Sequence, residues 1–224
     1  MSKYLTTIFN IIQRENIKGE KMQIINLVVS SVLQVILFSL IPFVWWLISG
    51  KKQSNFFKWL GFKKPIINDK KKYILGFLLT ILLLSIPAFI VIPMFVDTSN
   101  MATSQFSGQG SSALIPALIY SIIQTGLSEE IFFRGFLGKR LINKFGYTLG
   151  NAIQALLFGL MHGVMFISIA GIVGAIIIIV LTGIVGWLMG WINEKLSEGS
   201  IISSWLLHSC ANILASVVAM FNLI

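Results

Sequence analysis

The sequence has 224 residues, of which 56% are hydrophobic and only 11% are charged, and its mean hydropathy is +0.87. Soluble globular domains carry roughly 25% charged residues, so this composition excludes an ordinary soluble domain and predicts an integral membrane protein. The single cysteine, Cys210, excludes an intrachain disulfide and a cysteine-based metal cluster.

The N-terminal part of the chain is predicted to contain an interfacial segment followed by two transmembrane helices. Residues 1–23 combine short apolar runs with charged residues, which is typical of an amphipathic stretch at the membrane surface. About 20 apolar residues are needed to cross a bilayer as a helix, and Ile24–Ile48 and Tyr73–Val96 reach this length. Residues 24–96 therefore predict two spans joined by a hydrophilic loop.

The loop between these two spans is rich in lysine. Residues 49–72 contain eight lysines and a single acid, Asp69, within a chain whose net charge is +9. Basic residues placed between apolar spans interact with anionic lipid headgroups, and the sequence has no nucleic-acid-binding motif beside them. We therefore expect membrane lipids as partners and no nucleic acid.

The rest of the chain, residues 113–224, is predicted to form a helical core. An apolar run begins at Ala113 and continues towards Leu141, and three further runs are each long enough to span a bilayer. These three runs are Tyr147–Phe166, Ile169–Ile192 and Ile201–Ile224. The expected fold is thus all-α, a polytopic transmembrane helical bundle of about six spans.

The first predicted core helix carries charged side chains in the motif SEEIFFR. Glu130 and Arg134 are four residues apart with the acid first, which favours an ion pair on one helix face. Glu129 lies about 100° further round the helix and has no such partner. Ionisable residues inside membrane spans are costly and point to function by default. The motif alone leaves two interpretations open, a structural ion pair or a site in which Glu129 acts as a general base.

Two further apolar segments each align polar groups on one face. Phe158 and His162 are one helical turn apart in FGLMH, and His208 and Asn212 are one turn apart in WLLHSCAN. Taken separately, such groups are more often hydrogen-bonded links between helices than catalytic residues. Taken together with the glutamates, they supply a base and hydrogen-bond donors, which are the groups that amide hydrolysis requires.

The three motifs together resemble those of the CPBP family of intramembrane proteases, also called the Abi or CAAX-protease family. They follow the order EExxxR, FxxxH and HxxxN over roughly residues 113–220, and the residues concerned are Glu129, Glu130, Arg134, Phe158, His162, His208 and Asn212. The resemblance implies an all-helical bundle that hydrolyses peptide bonds within the membrane.

The resemblance also implies a role for each motif residue. The predicted catalytic residues are Glu129 and His162, which would activate a water molecule, and His208 and Asn212, which would stabilise the oxyanion. Glu130 is included in the catalytic set because it would brace the site and share proton transfer with its neighbour.

Arg134 and Phe158 are expected to give structural support. A metal site formed by His162, His208 and Glu129 is an alternative, because two histidines and a carboxylate can bind Zn²⁺. The HExxH motif is absent from the sequence, and we favour a mechanism without an obligatory metal.

These features predict an intramembrane endopeptidase that cleaves a small membrane-associated, hydrophobic peptide or protein. The chain has 14 lysines against 3 arginines, a bias that indicates an AT-rich bacterium, and its apolar runs predict a multi-pass protein of the cell membrane. The resemblance implies a role in peptide processing or bacteriocin self-immunity, because bacterial members of the family are linked to these processes. The alternative is a non-catalytic immunity or scaffold protein that retains the motifs. A proton-coupled transporter would require two related halves, and the sequence shows no internal repeat.

Overall fold

The structure is a computed structural model that describes the backbone of residues 2–86, 89 and 92–223. Side chains are described for residues 19, 21–86, 89, 94–97 and 99–223. Part of the predicted N-terminal segment, part of the predicted Tyr73–Val96 span and the last residue of the chain therefore lie outside the described residues.

The described chain is helical, and no strand occurs within it. Helices are the expected solution for such an apolar sequence, because every backbone polar group must find its partner internally within a bilayer. The α-helices are α1 (Ser2–Ser49), α2 (Phe56–Leu60), α3 (Lys70–Ile86), α4 (Ile92–Phe95), α5 (Leu114–Ile119), α6 (Ser128–Glu130), α7 (Lys139–Phe145), α8 (Tyr147–Trp191) and α9 (Ile202–Met220).

Wider, π-helical turns interrupt several of these helices. They cover Tyr120–Leu127, Ile131–Gly138 and Ile192–Leu196, so that residues 114–145 form one continuous rod in which α and π geometry alternate. Short 3₁₀ turns cover Thr98–Asn100, Ala102–Phe106 and Gly110–Ala113.

Four helices in the described residues are long and apolar enough to cross a membrane, namely Lys21–Ser49, Gly110–Phe145, Tyr147–Leu196 and Ile202–Met220. The predicted helical membrane bundle is thus confirmed. The expected number of about six spans is approximate. α3 is apolar but has only 17 residues, and the two predicted spans between residues 147 and 192 belong to one assigned helix, α8.

α8 is in fact a hairpin of two antiparallel helical arms. Gly171 has φ 68° and ψ 177°, which breaks the helix, and such dihedral angles are accessible essentially only to glycine. The arms pack so closely that a Cβ atom on Gly159 would lie 2.4 Å from the carbonyl oxygen of Ile179. The predicted division of this region into two helices therefore agrees with the structure.

α1 is a single helix from Ser2 to Ser49 without a break near residue 23. At 1.5 Å per residue it would be about 72 Å long, more than twice the hydrocarbon thickness of about 30 Å. Part of it must extend beyond the hydrocarbon core. The interfacial position of residues 1–23 stays a prediction, as do the proposed domain boundaries.

The rod formed by residues 114–145 is the centre of the molecule. Its π-helical stretches pack against α1, α8 and α9. Trp205 of α9 donates a hydrogen bond to the carbonyl oxygen of Ile122 in the rod (2.8 Å). At the other end of the rod, Lys139 pairs with Glu194 (2.6 Å) and donates to the carbonyl oxygen of Gly199 (2.6 Å). These contacts fix the faces of the rod that carry the glutamates.

Candidate active site

The two glutamates lie on α6, a single α-helical turn between two π-helical stretches. π-helical turns interrupt α-helices frequently at functional sites, because the extra residue redirects the side chains that follow it. Thr125 shows the wider spacing, since its hydroxyl donates to the carbonyl oxygen of Tyr120, five residues earlier (3.1 Å). No pattern in the sequence indicates this geometry.

Glu130 is fully buried, with no exposed surface. One of its oxygens, Oε1, lies 3.1 Å from Arg134 Nη1 and also 3.1 Å from His208 Nδ1. The Glu130–Arg134 pair is the one expected from their spacing on the helix. Burial of a carboxylate is costly unless the charge is paired and hydrogen-bonded. Arg134 of the same rod supplies a cation to Glu130, and His208 of α9 supplies an imidazole.

Arg134 is packed against both arms of α8. Its guanidinium carbon lies 4.0 Å from the centroid of the Phe158 ring, a cation–π contact. On the second arm, its Nη2 donates to the sulfur of Met189 (3.3 Å). The absence of a side chain at Gly186 makes room for this packing, because a Cβ atom there would lie 3.1 Å from the Phe158 ring.

His208 lies between the two glutamates. Its Nδ1 is 3.1 Å from Glu130 Oε1, and its Nε2 is 3.8 Å from Glu129 Oε2. A carboxylate can only accept a hydrogen bond, so Nδ1 carries the proton and donates it to Glu130. This bond orients the imidazole and directs Nε2 towards the side of the site on which Glu129 lies.

Glu129 differs from Glu130 in both exposure and bonding. Its side chain is 14% exposed, and its Oε2 has no hydrogen-bond partner within the described residues. The separation of 3.8 Å from His208 is longer than a hydrogen bond. Glu130 Oε2 also lacks a hydrogen-bond partner within the described residues, but Glu130 has no exposed surface and its Oε1 is held by Arg134 and His208. Glu129 is therefore the more accessible of the two carboxylates.

His162 approaches the same site from the first arm of α8. Its Nδ1 is 2.9 Å from the carbonyl oxygen of Phe158, so Nδ1 is the donor and Nε2 of the neutral ring is left as an acceptor. The Phe158 ring is 4.5 Å from the His162 ring and 6.1 Å from the His208 ring, measured between centroids. Both imidazoles thus border one aromatic side chain.

Asn212 lies one turn beyond His208 on α9 and contacts the rod one turn before Glu129. Its Nδ2 donates a hydrogen bond to Thr125 Oγ1 (2.7 Å). The structure therefore brings every predicted site residue to the facing surfaces of the rod, α8 and α9. Two residues that contact the site, Thr125 and Met189, were not predicted from the sequence. Thr125 could have been found from its spacing of four residues before Glu129, whereas nothing in the sequence points to Met189.

The predicted zinc-binding residues do not form a ligand set in this arrangement. Within the described residues, no group of three histidine, cysteine, aspartate or glutamate side chains has metal-binding geometry. The Nδ1 atoms of His162 and His208 already bond to protein groups. We therefore derive no catalytic step through a metal, and the zinc hypothesis stays untested.

The fold and the site define a multi-pass helical membrane protein with buried carboxylate and imidazole groups between its helices. Residues 111–214 match the family model described as Type II CAAX prenyl endopeptidase Rce1-like. This part of the chain is thus similar to the Rce1-like domains of the CPBP family, and the resemblance noted from the motifs is confirmed. The match supports a CAAX-type intramembrane protease as the kind of function. Comparisons with curated proteins and with solved structures gave no significant match.

Proposed function

We propose that the protein is an intramembrane endopeptidase that hydrolyses a peptide bond of a small, hydrophobic, membrane-associated peptide or protein. The observation that carries the proposal is the unequal pair of glutamates around His208. Glu130 is fully buried and is held through its Oε1 by Arg134 and His208, while Glu129 is partly exposed and lies 3.8 Å from His208. Two neighbouring carboxylates in different environments are typical of a site that assigns them different roles.

In this mechanism Glu129 is the general base. It takes a proton from a water molecule whose oxygen attacks the carbonyl carbon of the scissile bond. His162 orients this water through Nε2, which can accept a hydrogen bond because Nδ1–H is directed at the carbonyl oxygen of Phe158.

His208 and Asn212 stabilise the oxyanion that forms as the carbonyl bond opens. Asn212 has a second Nδ2–H besides the one that it donates to Thr125. His208 can donate from Nε2 only as the imidazolium, because its Nδ1 proton is already bonded to Glu130. Glu129 then returns its proton to the leaving nitrogen, the carbonyl re-forms from the oxyanion as the C–N bond breaks, and a carboxylic acid and an amine are released.

Glu130 and Arg134 position the site in this proposal. Their ion pair, together with the contact of Arg134 with Phe158, holds Glu130 as a fixed acceptor for His208. We further propose that no metal is required. The rival hypothesis is a zinc ion bound by His162, His208 and Glu129, and it is tested by metal analysis of the active protein.

A hydrophobic substrate is favoured by the surroundings of the site helix. An apolar cavity of about 620 Å³ is bordered by Leu127 and Ile131, which flank the glutamates in sequence, and by Trp205 of α9. We place the protein in the cell membrane of a bacterium and propose that it acts in peptide processing or bacteriocin self-immunity. The lysine-rich loop would contact anionic lipids in that setting.

The deciding experiment is cleavage of a hydrophobic reporter peptide by purified wild-type protein and by its Glu129→Gln variant. The variant keeps the shape of the side chain and removes the base, so we expect turnover to fall by about 10²–10⁴-fold. Glu198→Gln is the matched control, because Glu198 is an exposed residue whose carboxylate bonds to Asn68. Elemental analysis of the same samples reports any bound metal.

Two outcomes would contradict parts of the proposal. Cleavage that requires stoichiometric zinc would replace the metal-free mechanism. A protective phenotype in cells that survives Glu129→Gln, with the protein still present in the membrane, would favour the non-catalytic immunity or scaffold function.

A further inference from the structure

A small cavity lies beside Arg134, and its lining contains none of the proposed catalytic residues. Its volume is about 10 Å³, and its lining includes Arg134, Asn151, Gln154, Asn193 and Glu194. This volume is about the minimum that one water molecule requires. A water of this kind also needs two or more polar partners, so the question is which atoms can supply them.

Gln154 offers an acceptor whose orientation is fixed by its other contacts. Its Nε2 donates to Asn151 Oδ1 (2.9 Å) and to the carbonyl oxygen of Gly186 (3.0 Å). Asn151 is itself oriented by the hydrogen bond from its Nδ2 to the carbonyl oxygen of Trp187 (3.0 Å). Neither amide can be turned over without losing these bonds. Gln154 Oε1 is consequently left buried, with no protein partner among the described residues.

Arg134 offers the complementary donor. Its Nη1 lies 3.1 Å from Glu130 Oε1 in an ion pair without hydrogen-bond geometry, and its Nη2 contacts the sulfur of Met189. Its Nε has no partner among the described residues. Both side chains are almost completely buried, with 3% of Arg134 and 1% of Gln154 exposed. A buried N–H of a cation and a buried amide oxygen both call for a hydrogen-bond partner, and both residues line the same water-sized cavity.

We propose that one buried water molecule bridges Arg134 and Gln154, accepting a hydrogen bond from Arg134 Nε–H and donating one to Gln154 Oε1. Gln154 then acts as a positioning residue. The water fixes the orientation of the Arg134 guanidinium, Arg134 in turn positions Glu130, and Glu130 orients the imidazole of His208. This effect on catalysis depends on the proposed function, whereas the water site itself does not.

The water site is tested by NMR of protein labelled with [¹⁵N]arginine in detergent micelles. The chain contains only three arginines, at positions 14, 134 and 140, so three Nε–H signals are expected, and an Arg134→Lys variant identifies the one from Arg134. In the wild-type protein, we expect a cross-relaxation peak between Arg134 Nε–H and a long-lived water molecule.

Gln154→Met is the informative variant, since it keeps the length of the side chain and removes the acceptor. We expect the water cross-peak to be lost and the Arg134 Nε–H signal to move. Gln124→Met is the matched control. Gln124 also links helices by hydrogen bonds, to Gln34 (3.3 Å) and Ser31 (3.4 Å) of α1, but it does not line the cavity beside Arg134. This control should leave the Arg134 signal and its cross-peak unchanged.

A wild-type protein without a water cross-peak at Arg134 Nε–H would overturn the proposal, and so would a cross-peak that persists in Gln154→Met. The wild-type spectrum alone decides the matter if Gln154→Met does not fold. In the peptide-cleavage assay, Gln154→Met should lower kcat about tenfold, the effect of a loss comparable to one hydrogen bond, without raising KM. If no peptide is cleaved even by the wild type, the proposed function fails while the NMR result still stands.

Discussion

The guanidinium of Arg134 lies over the ring of Phe158, with 4.0 Å between the guanidinium carbon and the ring centroid. This contact joins the glutamate-bearing rod to the first arm of α8, and Phe158 also borders the ring of His162 at 4.5 Å. One aromatic side chain therefore supports the cation on one side of the site and an imidazole on the other. The stability of the site should accordingly depend on this cation.

Replacement of Arg134 by Met is expected to destabilise the protein strongly. The variant keeps an unbranched, apolar side chain against Phe158 but removes the cation that pairs with the buried carboxylate of Glu130, which then keeps only its contact with His208. Removal of one member of a buried ion pair costs about 3–5 kcal/mol. Equilibrium unfolding in mixed micelles measures this loss. The double variant Arg134→Met with Glu130→Gln should recover most of it, and a single variant that loses less than about 1 kcal/mol would contradict a buried pair.

Glu130 and His208 should behave as one functional group in peptide cleavage. Loss of an oxyanion donor lowers kcat by about 10²–10³-fold, which is the effect expected for His208→Ala. Because Glu130 acts by orienting His208 (3.1 Å), Glu130→Gln should add little once His208 is gone. A double-mutant cycle on kcat tests this expectation. Fully additive effects would show that Glu130 acts independently of His208.

Thr125 is expected to position Asn212. Thr125→Val removes the Oγ1 that accepts from Asn212 Nδ2 (2.7 Å) and preserves the shape of the side chain. We expect kcat to fall by about five- to tenfold, corresponding to one hydrogen bond of about 1 kcal/mol, with little change in KM. The matched control is Thr182→Val, because within the described residues the Thr182 hydroxyl bonds to Ile178 of its own helix (2.6 Å) and to no other group. Equal losses in both variants would exclude a specific role for Thr125.

Gly159→Ala should destabilise the α8 hairpin, whereas Gly183→Ala should not. A Cβ atom at Gly159 would meet the backbone oxygen of Ile179 at 2.4 Å, but one at Gly183 would have its nearest neighbour at 3.6 Å. Overpacking costs about 1–3 kcal/mol, while alanine in place of glycine in a helix gains about 0.5–1 kcal/mol. Unfolding measurements on both variants give the comparison. A Gly159→Ala protein as stable as the Gly183→Ala protein would rule out the close packing.

Local spacing accounts for the parts of the site that sequence could predict. The pairing of Glu130 with Arg134 and the bond from His162 to the carbonyl of Phe158 both follow from the spacing of four residues along a helix. The predicted helix break between residues 166 and 169 falls close to Gly171, where the chain turns. The all-helical class followed from composition alone.

Tertiary contacts and unusual helix geometry account for what the sequence could not predict. The bond between His208 and Glu130 joins residues 78 positions apart, and no local pattern specifies such a pairing. π-helical turns have no sequence signature of their own, so the orientation of the Glu129 side chain within the site could not be derived. The cavity beside Arg134 depends on the packing of Gln154 against the second arm of α8, which becomes visible only when both arms are placed.

The one-residue turn at Gly171 has a consequence for how the protein is inserted into the membrane. The first arm alone would expose the amides of Asn151 and Gln154 to lipid, where unpaired polar groups are costly. In the folded hairpin these amides donate to the backbone of Trp187 and Gly186 on the second arm. The two arms should therefore leave the translocon together, so that the first arm is retained until the second has been synthesised.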